Sequence, residues 1–90
     1  MANKITYYAI VAGGATVDRP LGLVRRLEHD DGPEDEALHR DGGWHWTPLI
    51  VEHEHGSTDE DLVQVSHEQA SKIVRFLRDK FRARLTEREG

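Results

Sequence analysis

Six histidines and no cysteine set the range of chemistry open to this chain. Without thiolates there is no disulfide framework, no cysteine nucleophile and no cysteine-ligated zinc. Histidine could still hold a metal. His53 and His55 stand two apart within residues 44–55 (WHWTPLIVEHEH), and on a strand both imidazoles would point to one side with Glu52 and Glu54 opposite. A divalent ion needs further ligands, which His29, His39, His45 and nearby acids could supply only through folding. Leu49 and Val51 fall on the histidines' side, and a polar strand end beside a turn is accounted for by solvation. The sequence therefore predicts no cofactor, with His53 and His55 as the one metal alternative.

Other candidate sites meet plainer readings. The stretch Ala12-Gly13-Gly14-Ala15-Thr16, followed by Arg19 and Pro20, has a passing likeness to the phosphate loop of sugar nucleotidyltransferases. Such a loop works because the helix after it presents free backbone N–H groups. Here the next segment reads as a strand, and no Gly-x-Gly-x-x-Gly or Walker pattern occurs. The runs Glu34-Asp35-Glu36 and Asp59-Glu60-Asp61 could pair carboxylates for acid–base work, but only if burial drives their pKa values apart. Flanked by Gly, Ser and Pro, they read as solvated. Ser57 and Ser66 suit a turn and a helix cap, and no catalytic residue is expected.

Charge and aromatic placement give two interaction hypotheses. The net charge is −5, unevenly distributed. Residues 27–61 hold twelve acids against Arg40 alone, whereas residues 71–90 hold seven cations against Asp79, Glu87 and Glu89. Helical spacing groups Arg75, Arg78 and Arg82 on one flank, as a phosphate track requires. Against this, Asp79 can pair with either neighbour, and cations near a helix C-terminus complement its dipole without a partner. The other hypothesis uses Phe76, which lies off the apolar stripe of its helix, with Arg75, Lys80 and Trp44, as an aromatic patch ringed by charge. Trp44 and Trp46 would share one face of an edge-like strand.

The elements that must position these residues are legible from periodicity. Residues 4–12 (KITYYAIVA) form the clearest strand, apolar on both faces and so central. Residues 21–28 (LGLVRRLE) form a second, with Arg25 interrupting its apolar face and therefore expected near the sheet rim. Residues 29–43 read as an acidic excursion in which 33–40 (PEDEALHR) has the Pro, first-turn acids and following glycine of a short helix. Residues 44–55 read as a third strand, bent or on an edge because Pro48 cannot donate to a ladder, and 61–65 (DLVQV) as a fourth. Ser66 and Gln69 have capping-box spacing before Ala70, Ile73, Val74, Leu77, Phe81 and Leu85, an apolar stripe over a helix at 66–86.

The fold predicted is α+β: one domain over residues 1–90, two layers, with a mostly antiparallel four-stranded sheet against a long C-terminal helix (β-β-(short α)-β-β-α). The pattern YYAI, PLGLVRR, DEAL and Trp44 resembles a group of short actinobacterial proteins without an assigned activity, and the resemblance implies a fold but no functional residues. No apolar run approaches the roughly 20 residues of a membrane span, and residues 1–10 lack the pattern of a signal peptide. The expectation is a soluble, cytoplasmic, non-catalytic interaction module that meets a protein partner or forms a homodimer. Nucleic-acid binding through Arg75, Arg78 and Arg82 is the second reading.

Overall fold

The structure is a computed structural model that describes residues 4–56 and 60–89, with side chains as far as Ala83. Five strands form one antiparallel sheet in the order β4-β3-β2-β1-β5. They are β1 (Lys4–Val11), β2 (Gly22–His29), β3 (Gly32–Leu38), β4 (Trp44–Trp46) and β5 (Asp61–Val65); α1 (Leu49–Glu54) lies between the last two and α2 (His67–Glu89) follows them. This is the expected α+β antiparallel sheet with its C-terminal helix, built on five strands rather than four. No helix among the described residues is long and apolar enough to cross a membrane.

β1 is interior, as its two apolar faces require, paired with β2 on one side and β5 on the other. Its Ala9 packs with Leu23, Leu38 and the Ala70, Ile73 and Leu77 stripe of α2 into one buried cluster. Burying each of the larger aliphatic side chains contributes about 1.5–3 kcal/mol. Val24, one residue on from Leu23, is fully buried on the opposite face, as is Ile50 of α1. The sheet thus lies between two helices, the long α2 and the short α1. Ser66 caps α2 by accepting the Gln69 N–H at 3.1 Å. The Gln69 amide turns away from the cap to Asp18 Oδ1 at 3.3 Å, so only half of the capping box forms. Gly13 and Gly14 take φ of +54° and +90° in a turn closed by Ala15 N–H on Ala12 O. Positive φ at both central residues is the type I′ geometry, and the glycine stretch is a connection between strands.

Three local expectations are overturned. Residues 33–40 do not form a helix: most of the segment is β3, whose Asp35 and Glu36 stand opposite Arg26 and Arg25 of β2. A helix this short cannot nucleate on propensity alone, and two cross-strand ion pairs outweigh the preference. Pro33 is tolerated because β4 pairs only with residues 36–38, leaving the start of β3 on an open edge. Residues 44–55 are not one strand either. β4 stops at Trp46, Pro48 takes the N-cap position of α1, and Glu52 N–H closes the first turn on the Pro48 carbonyl. A residue that cannot donate to a ladder loses nothing at a helix start. Arg25 also lies inside the sheet rather than at its rim, because β2 is the middle strand of five.

α1 is held down by an ionic clamp. Arg26 donates Nε and Nη2 to the two oxygens of Asp35 at 2.8 and 3.0 Å, and Nη2 also reaches Glu54 Oε1 at 2.8 Å. Asp35 is buried, at 7% exposure. Its hydrogen bond is the main cause that holds the Arg26 guanidinium charged, opposed by burial and helped by Glu54. Removing one partner of such a pair strands the other without its counter-charge. Arg26→Gln should therefore cost about 3 kcal/mol, read as a lowered urea midpoint at unchanged slope. A loss under about 1 kcal/mol would place the clamp among ordinary surface pairs.

Candidate functional site on the open end of the sheet

α2 covers one end of its sheet face and leaves the other open. The boundary is a row of side chains that the register sets across all five strands: Val65, Tyr7, Arg25, Glu36 and Trp46. Directly opposed residues share a face, so the row lies on the α2 side. The neighbouring row, Ala9, Leu23, Leu38 and Trp44, borders or lies under the helix. Beyond the boundary, Ile5, Leu27 and Glu34 continue the open face.

Within the row, Arg25 and Glu36 pair with each other and Tyr7 is held by ring contacts. Arg25 donates Nε and Nη2 to Glu36 Oε1 at 2.9 and 2.7 Å and places its guanidinium 4.0 Å over the Trp44 ring. Tyr7 meets Trp44 with ring centroids 6.1 Å apart and His67 edge-on at 5.2 Å. His67 Nε2 donates to the Ile5 carbonyl at 2.9 Å. A cation stacked on an indole and neutralised by a carboxylate is a rigid, nearly neutral ledge, with no nucleophile and no acid–base pair in it. Trp46, at the end of the row, is 72% exposed.

The residues singled out from the sequence separate into two flanks. Phe76 is partly buried against the core cluster, and Lys80 lies beside Leu21, Leu38, His39, Arg40 and Phe81. Arg75 is on the other side of α2 with Ser71, Val74, Arg78, Asp79 and Arg82. Phe76, Arg75, Lys80 and Trp44 are therefore not one patch, because Phe76 and Trp44 both lean on the core. Arg75, Arg78 and Arg82 do come together, as helical spacing predicts. Arg25, Tyr7 and Arg40 went unnoticed as site residues; only the cross-strand register reveals the first two.

His53 and His55 do not form a strand pair. His53 is in α1 and His55 is its C-cap; two helical steps point side chains about 200° apart. His53 Nδ1 donates instead to the Glu60 carbonyl at 3.2 Å. Among the described residues, no group of three or more His, Asp or Glu side chains is placed to hold a metal.

The β3–β4 hairpin carries a polar knot. Asp41 accepts the Gly43 N–H at 2.8 Å and the His45 Nε2 at 2.8 Å, and the His45 and His39 rings lie 4.5 Å apart. The Gly43 N–H, then His45, holds the Asp41 carboxyl below its ordinary range. A depressed carboxylate contributes fully above the ordinary aspartate range and loses that contribution as pH falls through the lowered value. Across the usual aspartate titration the Gly43 amide resonance should show no carboxylate step, which should come only at more acidic pH. A step in the usual range would mean that the two bonds do not form in solution. Comparison with protein-family models, with curated proteins and with solved structures finds no match to this chain.

Proposed function

We propose that this protein is a non-catalytic interaction module that docks a second copy of itself on the open end of the sheet, with Trp46 as the anchor. The observation that carries this reading is the 72% exposure of Trp46 at the end of a row that holds Tyr7 and Arg25, both in contact with Trp44 of the neighbouring row. Tryptophan, tyrosine and arginine are the side chains that dominate binding energy at interfaces, and rigid ones lose little entropy on docking. Arg25 is neutralised by Glu36, and Ile5 and Leu27 extend the same face, so the surface suits an apolar, near-neutral partner. Under a twofold axis such a face can meet itself.

The strand edge supports the same reading. Thr47 N–H bonds Asp35 O, and His39 N–H bonds Gly43 O, which turns residues 43, 45 and 47 toward β3. Alternation then directs the Trp44 and Trp46 backbone groups outward, where a second strand could pair with them. Three residues are too few to hold a partner by backbone bonds alone, so the indole must supply the area.

Nucleic-acid binding is the second reading, favoured by the convergence of Arg75, Arg78 and Arg82 on one flank. Asp79 stands among them, and the groove there is short rather than a continuous track.

Light scattering separates these cases. The wild type should be a dimer, and Trp46→Ser, at an exposed position, a folded monomer with unchanged circular dichroism. A wild type that stays monomeric at millimolar concentration removes the homodimer. Dimerisation of Trp46→Ser equal to wild type removes this surface.

A further inference from the structure

Between α2 and the β3–β4 hairpin lies a groove of about 380 Å³ lined by Arg40, Asp41, Gly42, Arg78 and Arg82. We infer that it binds a phosphate group, held by Arg40 from the hairpin and by Arg78 and Arg82 from the helix. This does not rest on the homodimer, whose surface uses other side chains.

Three observations converge. First, the chain carries a net charge of −5, yet this lining sets three guanidinium groups against one carboxylate. Second, that carboxylate is already engaged: Asp41 binds Gly43 N–H and His45 within its own hairpin and does not pair with the arginines. Third, the groove is braced. Arg78 Nη2 donates to the Gly42 carbonyl at 2.9 Å, fixing the guanidinium across the gap while its other N–H groups remain to be used. Gly42 takes φ of +83°, and a Cβ there would meet Arg78 Nε at 3.7 Å. The turn that brings the hairpin up to the helix thus favours glycine.

Planar guanidinium groups match the tetrahedral oxygens of phosphate in charge and in donor geometry. The volume is at the small end of ligand sites, enough for a phosphate with a modest substituent. Arg40 is exposed and makes no ion pair among the described residues, so its charge is available to a ligand. Arg82 has an interaction of its own and contributes its charge to the lining.

The phosphate could be free or part of a nucleic-acid backbone, and two titrations distinguish them. Pyrophosphate added to the labelled chain should shift the Gly42 amide and the Arg40 and Arg78 side-chain resonances saturably, at one site. Arg40→Gln, an exposed substitution, should weaken binding about tenfold; Lys72→Gln, an exposed lysine of α2 outside the groove lining, should leave it within twofold. A short single-stranded oligonucleotide that binds more tightly, with a footprint extending to Arg75, would identify the source as a nucleic-acid backbone; the same footprint as pyrophosphate with no gain would identify a free phosphate. No saturable shift by either ligand, or equal loss in Arg40→Gln and Lys72→Gln, would overturn the site.

Discussion

β1 is apolar on both faces, and from this follows most of the architecture. An interior strand of that kind must be covered twice. On one side the Ala70, Ile73 and Leu77 stripe of α2 lies over Ala9 and Leu23. On the other, Val24 and Ile50 are buried with the short helix α1. The two covers differ in kind. α2 is long and holds by apolar area, whereas α1 has six residues and could not form unaided. It is fastened by Ile50 and by the link from Glu54 through Arg26 to the buried Asp35.

Adjacent arginines on β2 do opposite work because a strand alternates its faces. Arg26 points to the α1 side and builds the clamp, while Arg25 points to the α2 side and is held between Glu36 and the Trp44 ring. Both need an acid directly across the ladder, and β3 supplies Asp35 and Glu36 at that register. The acid run that looks solvated in the sequence is therefore the counter-charge of the middle strand. This pairing also fixes the register of β2 on β3, since a slip by one residue would set each arginine on the wrong face.

The finite reach of α2 makes the surface. Where the helix cover ends, the sheet face continues with Tyr7, Arg25, Glu36 and Trp46; Tyr7 is held by ring contacts with Trp44 and His67, and Arg25 by Glu36 and the Trp44 ring, while Trp46 stands exposed. At its far half, α2 meets the β3–β4 hairpin, where Arg78 and Gly42 brace a groove whose charge opposes that of the whole chain. One surface suits an apolar chain and the other an anion. They are separate consequences of laying a 23-residue helix across a sheet that extends beyond it.

The sequence by itself determined the elements whose residues decide their own state. The Ile, Tyr and Val alternation of β1, the Ser66 cap, the apolar stripe of α2 and the clustering of Arg75, Arg78 and Arg82 all follow from local chemistry and helical or strand period. The open end of the sheet was half legible: alternation puts Trp44 and Trp46 on one face, but nothing local shows Arg25 and Tyr7 in the same row. Tertiary structure decided the segments with divided preferences. Residues 33–40 have the Pro and acids of a helix start, yet the charges on β2 draw most of them into a strand. Residues 49–54 have strand-like composition, yet Pro48 ends the ladder and Ile50 with Glu54, one helical turn apart, find the core and Arg26. In short segments intrinsic preference amounts to about 1 kcal/mol or less per residue, and a buried contact or a paired charge across the sheet outweighs it.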